Sequence, residues 1–395
     1  MPSTGSGSGK SFKAFRRTVL GFGGDQNQVH SEEVNKESKS PQDRELEEFQ
    51  THVFSRFNSL SDSSGDEFLS IDWVSKVLDA FVACLEDFKL VLLNNHEILS
   101  NPALDRMVME FYDRSIKALD ICNAVRDGIE KMRLWHKHLE IVSSASDSKQ
   151  RNVMSEWQFR RARKALNDLA ILMLDDHKDS GSVSSHRNRS FGRPNKGKDV
   201  NHQRKQGHSR SLSWSVSNSW SASKQLQSMS NNLVPPRAND TPHLFGLANC
   251  VFTMGFVLMF VLWNVVAAIP CQDRGLFNFS IPRQFPWSAP LFLIHTRVLE
   301  ESKKRDRKNS PGLLREIYQM EKSINLVSDL IDSAHQFPLT EDQQKEVKEE
   351  IHELSVVSNS CKDGLNALDR QLRDVFRKIM SCRTEGLATL SNRQS

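Results

Sequence analysis

The chain has 395 residues, 38% of them hydrophobic and 26% charged, with a formal net charge of +4. That length admits two or three domains or one elongated helical body, and the low apolar share excludes a chain that is compact core throughout. The basic excess is local: residues 178–242 hold 11 Lys or Arg against 3 Asp or Glu, so the rest of the chain is slightly acidic and a broadly basic folded surface is excluded.

Residues 1–40 read as a flexible basic N-terminal segment. GSGSGKS (5–11) looks like a phosphate-binding loop, but the position five before Gly9 is Thr4 and no strand can precede it, so a tail is the better reading. GFGG (21–24) is a linker on the same ground. In SFKAFRRTVLGF (11–22), Phe12, Phe15, Val19 and Phe22 share a helical face, with Lys13, Arg16 and Arg17 among them. A basic aromatic face of this kind suits the interface of an anionic leaflet, and equally suits docking on the protein itself or remaining unstructured. No secretory signal is read at the start, and Pro2 and the terminal SNRQS speak against myristoylation and prenylation.

Residues 41–176 read as an N-terminal helical bundle. Ser40, Pro41 and Asp43 start a helix carrying Leu46, Phe49, Val53, Phe57 and Leu60. A turn at 61–66 leads to a second helix over about 71–99, with Val74, Val77, Leu78, Phe81, Leu85, Phe88 and Leu92 on one face. Asn101-Pro102 opens a third over about 102–142, and a fourth runs over about 152–175 through Trp157, Ala162, Ala165, Leu169 and Leu172. Short turns between long helices make antiparallel neighbours the default, and strand signals are nearly absent.

Residues 177–243 read as a disordered, basic, Ser-rich linker, too poor in aliphatic residues to offset the cost of ordering. Within it Ser190 and Ser213 follow basic residues by three positions and are candidate phosphorylation sites. Leu244 to Ile269 is then a 26-residue run without a charged side chain, roughly 39 Å long as a helix against the ~30 Å hydrocarbon core of a bilayer. Three readings stay open for it: a buried central helix, a membrane span, and a peripheral or re-entrant insertion. A Pro- and aromatic-rich connection (270–289) follows. Residues 290–395 read as a C-terminal helical hairpin region: a helix to the basic KKRDRK (303–308), one opened by Ser310-Pro311, and a last one behind a Thr340/Gln343 capping box. The last helix has a 3–4-spaced seam running from Val347 to Cys382, whose partner is the stripe at 313–334 or another molecule.

Chemistry-bearing patterns are sparse. His136 and His138 stand two apart, the wrong spacing for one face of a helix, so both read as solvated or capping residues. The six cysteines are scattered without CxxC and read as reduced and buried. No hydrolase, kinase or metalloprotease pattern occurs, so no catalytic, cofactor-binding or metal residue is nominated and an enzyme is not expected. No nucleic-acid module accompanies the basic segment. The fold class expected is all-α: an elongated bundle of long antiparallel helices, a disordered Ser-rich linker and one very apolar helix.

Four phrases together resemble the plant BYPASS-related and ROH-type proteins: ELEEFQTHVFSRFNSL (45–60), LDRMVMEFYDRSIKALDICNAVRDGIEKMRLWHKHLEIV (104–142), AAIPCQDRGL (267–276) and FPWSAP (285–290). The likeness covers nearly the whole chain and transfers no catalytic or ligand-binding residue. It implies a non-enzymatic plant interaction protein, cytoplasmic or membrane-associated, that works with exocyst subunits in polarised secretion such as seed-coat mucilage deposition. The BYPASS-type branch implies instead control of root and shoot development through a mobile signal.

Overall fold

The computed structural model describes residues 40–146, 155–174, 221–237, 242–271, 276–306, 311–333 and 339–391. Among the described residues there is no strand. Nine α-helices follow one another: α1 (Pro41–Ser61), α2 (Ile71–Asn94), α3 (Pro102–Ser146), α4 (Glu156–Leu174), α5 (Ala222–Asn231), α6 (Pro242–Ala268), α7 (Ser288–Asp306), α8 (Arg315–Ser333) and α9 (Glu341–Ser391), with a short 3-10 turn at Ile98–Ser100. The fold is all-α, as the 3–4 spacing predicts.

Local signals set several starts. The Ser40 hydroxyl accepts from the Asp43 amide at 3.1 Å ahead of Pro41, and Ser70 accepts from the Trp73 amide at 3.0 Å. Thr340 and Gln343 exchange the two bonds of a capping box at 3.1 and 3.3 Å, which starts α9. Helices α1 and α2 then run antiparallel, held by Arg56 on Asp87 at 2.7 Å and by the indole of Trp73 donating to the Leu60 carbonyl.

Helix α6 is the centre of the molecule. Every residue from Val251 to Cys271 is buried, and α1, α2, α3, α5 and α7 pack around it. Of the three readings left open by its composition, the fold realises the enclosed central helix: its apolar circumference meets apolar stripes on every side. One polar junction crosses this core. The Trp287 indole donates to Gln50 at 2.8 Å, and the Thr253 hydroxyl donates to the same Gln50 oxygen at 3.1 Å, tying α1, α6 and the residue just ahead of α7 together. At its C-terminal end α6 has carbonyls with no helical partner. The amides of Leu313 and Leu314 supply them, donating to the carbonyls of Ala267 and Ala268 at 3.1–3.2 Å.

That bond set explains one departure from expectation. Ser310-Pro311 does not open α8, which begins at Arg315. Residues 313 and 314 stay outside the helix, their amides committed to α6, and the next amide, that of Arg315, donates to the Leu69 carbonyl at 2.9 Å. A second departure is α5. Residues 222–231 fall inside the stretch read as disordered, yet Ser221 caps a helix whose Ala222, Leu226 and Met229 are buried against α6 and α3. Most of the rest of that stretch, 177–220 and 238–241, lies outside the described residues, as does 1–39.

The two regions read separately as N-terminal bundle and C-terminal hairpin share one core. All described helices belong to a single compact unit starting at Ser40. The seam of α9 packs on α8, as its stripe allowed, but more extensively on α3, and along α2 as well. Helices α3 and α9 contain 45 and 51 residues, or roughly 68 and 77 Å, so one antiparallel pair runs the length of the bundle.

Candidate functional site: the α3–α9 seam

The α3–α9 pair is where polar chemistry enters the interior. Its register is antiparallel: Tyr112 lies against Gly386, Arg126 against Asp369, and His136 against Ser358. At Gly386 a β-carbon would overlap the Tyr112 hydroxyl, so the helices touch there backbone to ring. Further along, Asp369 is buried and receives three guanidinium groups: Arg373 at 2.6 Å, Arg126 at 3.3 Å and Arg133 at 3.3 Å. Arg133 also donates to the Asn366 side-chain oxygen at 2.9 Å. Burial alone would raise the Asp369 carboxyl, but the hydrogen bonds from Arg373 and Arg133 outweigh it and hold it below the usual carboxylate range.

About three turns nearer the start of α9 the seam is occupied by a second polar set. His136 is buried, with Nδ1 at 2.6 Å from the Ser358 hydroxyl and Nε2 at 3.0 Å from Glu140. Lys362 donates to the same Glu140 oxygen at 2.9 Å. Burial is the main reason the His136 imidazole sits below its ordinary pKa, and Lys362 adds to the shift while Glu140 opposes it. The neutral ring therefore donates from Nε2 to Glu140 and accepts from Ser358 at Nδ1. Glu140 is itself held down, first by the Lys362 hydrogen bond.

The Ser–His–Glu order invites comparison with a nucleophilic triad, but the surroundings differ from one. Ser358 lies inside α9, where neighbouring amides are spent on the helix, so the geometry that places two free amides at an oxyanion is not built here. What the arrangement does build is a register preference: Arg126 and Arg133 reach Asp369, and His136 reaches Ser358, only in this alignment of the two helices. The network opens onto a cleft of about 570 Å³ between the last turns of α3 and the first third of α9, lined by Ser143, Ser144, Lys348, His352, Ser355 and Asn359 among others.

His136 thus corrects the solvated reading given to it; His138, two residues on and so on nearly the opposite side of α3, is half-buried. Trp157 is a second correction. It is 62% exposed, and Phe159 takes the inward position on α4 instead. The six cysteines are all buried and none is in a disulfide. Burial pushes the thiols of Cys122, Cys250, Cys361 and Cys382 up to about 12, so they are inert as nucleophiles. Among the described residues no group of His, Cys, Asp or Glu converges as metal ligands. The membrane-contact candidates Phe12, Phe15, Arg16, Arg17, Val19 and Phe22, and the phosphorylation candidates Ser190 and Ser213, lie outside the described residues.

Sequence reasoning passed over Ser358 and Asp369. Both stand at inward positions of an otherwise apolar 3–4-spaced stripe, and a polar residue in such a stripe is itself the signal. All four α3 residues of these networks (Arg126, Arg133, His136, Glu140) fall within the 104–142 phrase that carries the resemblance.

Comparison with known proteins agrees in extent. The family model described as Protein ROH1-like matches residues 7–390. Protein ROH1D of Arabidopsis thaliana is 48% identical over 390 residues, covering 97% of this chain and 96% of its own. Protein ROH1A of the same plant is 33% identical over 391 residues, covering 91% and 92%. No solved structure matches.

Proposed function

The chain belongs to the ROH1-like family, and on that premise we propose that it is a non-enzymatic interaction protein that associates with the exocyst in polarised secretion, seed-coat mucilage deposition being the kind of process served. The observation that carries this reading is the end-to-end likeness to Protein ROH1D, 48% identity with nearly complete coverage of both chains. Both relatives bear the ROH1 name, which supports the ROH-type reading over the BYPASS-type one. The protein works in the cytoplasm, and its basic aromatic segment 11–22 brings it to a membrane surface.

A partner surface is at hand on α4. Trp157 is exposed there, and Arg160, Arg161 and Lys164 follow on the same outer face at helical spacing. An exposed Trp flanked by Arg is the composition of a binding hot spot.

The test uses the full-length chain, because α3 and α9 interlock and neither half retains its core alone. Immobilised full-length protein should retain purified exocyst, and Trp157→Ala should reduce that retention while leaving thermal unfolding unchanged. Failure of the unmodified protein to retain any exocyst subunit overturns the reading. Retention unaffected by Trp157→Ala removes α4 as the surface.

A further inference from the structure

We infer that residues 233–237, Leu-Val-Pro-Pro-Arg, form a displayed recognition segment for a protein module that reads proline in a single aromatic groove with an acid beside it. This role is separate from the exocyst reading and from the α4 face. The segment follows α5 and is neither helix nor strand. Its covalent structure sets its shape. Each proline ring holds its own φ at about −65° and keeps the residue before it out of the helical region. Val234 and Pro235 are therefore extended, and the run favours the three-sided polyproline II form.

Exposure follows a repeat of three. Val234 is 69% exposed and Arg237 is exposed, while Leu233, Pro235 and Pro236 are half-buried. At three residues per turn Leu233 and Pro236 share one edge, Val234 and Arg237 share the second, and Pro235 stands on the third. The first edge is turned to the protein. Leu233 packs on the core, its Cδ1 atom 3.1 Å from where a β-carbon would stand at Gly255 of α6. Just before it, buried Arg114 of α3 donates to the Asn232 carbonyl at 2.8 Å, and the Leu233 amide donates to the Ser230 carbonyl at 3.1 Å. The segment is thus tethered at its start and open along its other two edges.

Among the described residues, Val234 to Arg237 make no hydrogen bond or ion pair. Two of these four residues have no N–H, so the stretch presents carbonyl acceptors and few donors. Val234 and Pro235 lie on adjacent edges, and an apolar residue followed by proline fills one groove between aromatic rings. An indole or phenol at the rim of such a groove donates to the free carbonyls. Arg237 stands roughly 9 Å along the edge from Val234, where a carboxylate of the partner can take its guanidinium. Ring closure and the tether at Leu233 have already restricted the chain, which lowers the ordering cost of binding. The positions three residues either side of each proline are Asn232, Leu233, Ala238 and Asn239, so no P-x-x-P repeat is present. A single-groove reader of the WW type therefore fits, and an SH3-type reader of two prolines does not.

The test applies full-length protein to an array of purified WW and SH3 domains and measures its affinity for those that retain it by calorimetry. Val234→Asp and Arg237→Glu, both at exposed positions, are compared with Lys345→Glu on the outer face of α9. Circular dichroism confirms the fold of each. The expected result is saturable binding to one or more WW domains, weakened about tenfold or more in Val234→Asp and Arg237→Glu and unchanged in Lys345→Glu. Pro236→Ala loosens the extended conformation without removing a contact side chain, and should weaken binding by a smaller factor of about three to five. Retention by no domain on the array overturns the inference. So does capture by SH3 domains alone, and so does WW binding that Val234→Asp and Arg237→Glu leave intact.

Discussion

Helix α6 and the α3–α9 seam both lie inside the protein, but they are specified by opposite means. Around α6 the interior is assembled from area. Val257, Leu258, Met259, Phe260, Val261 and Leu262 are all buried in succession, with the Phe57 ring of α1 against Phe260 and the Trp287 ring, just ahead of α7, against neighbouring Phe256. Along the seam the interior is assembled from matched polar groups, with three arginines on one aspartate and a Ser–His–Glu–Lys chain nearby. Area is indifferent to small slips in register. Matched charges are not, because a shift of one turn leaves Asp369 with Arg373 of its own helix but without Arg126 and Arg133 of α3. The apolar region gives the fold its cohesion, and the seam selects one alignment of its two longest helices.

The largest test of this contrast is Asp369→Ala. It removes one side chain and leaves Arg126, Arg133 and Arg373 facing a space built for a carboxylate. Stability in chemical denaturation should fall by about 3–5 kcal/mol. Leu258→Met, a volume-conserving change in α6, should cost less than about 1.5 kcal/mol. Equal losses at the two positions would break the distinction between area and register.

Next in size is Gly128→Ala, where α3 passes the end of α6. A β-carbon there would stand 2.7 Å from the Ile269 Cγ2 atom and 2.9 Å from the Pro270 carbonyl oxygen, too close without a backbone shift. The expected loss is about 1–3 kcal/mol. An unchanged midpoint would show that α6 can slide against α3, contrary to its fixed end on residues 313 and 314. Smaller, and of opposite sign, is Asn264→Leu. The Asn264 amide nitrogen donates to the Phe260 carbonyl at 2.8 Å, but its Oδ1 is buried with no partner. Removing that carbonyl should raise stability by up to about 1 kcal/mol, and a clear loss would count against the apolar account of α6.

The same contrast decides what was legible in the amino-acid sequence. Apolar spacing exposes every long helix, because burial of a stripe is a local pattern repeated many times. It exposes the length and composition of α6, but not what surrounds it: the same 26 residues suit a bundle core and a bilayer, and only packing by five other helices distinguishes the two. It misses α5, where Leu226 and Met229 are too few to form a stripe and the helix depends on α3 and α6 for its burial. Trp157 fails in the other direction: hydrophobic character suggests burial, yet α4 turns Phe159 inward in its place. The seam is the least legible part. His136, Ser358 and Asp369 read one by one as ordinary polar residues of helices, and their roles come from partners more than two hundred residues away.

Acid sensitivity offers the finest comparison, because each region holds one buried histidine. His295 of α7 lies against the rings of Trp263 and Phe279 at 4.9 and 4.5 Å, and burial is the single cause of its lowered pKa. His136 is lowered first by burial, then by Lys362, against the pull of Glu140. A histidine with a depressed folded pKa takes up its proton more readily in the unfolded chain. Each therefore contributes stability that is complete above about pH 6.5, the unfolded value, and is lost as pH falls from there through the folded pKa. Replacing either with glutamine should flatten stability against pH below about 6.5. Lys362→Gln separates them: it removes a cation that disfavours the charged His136 ring and frees Glu140 to favour it, so the folded pKa rises and the window of acid loss narrows. In a His136→Gln background the same substitution should leave the slope between about pH 5 and 6.5, that of His295, unchanged, the contribution of Glu140 to acid loss lying below that window. A slope that still responds to Lys362 there would mean that the two regions are electrostatically coupled, and that the apolar interior is not closed to the charges of the seam.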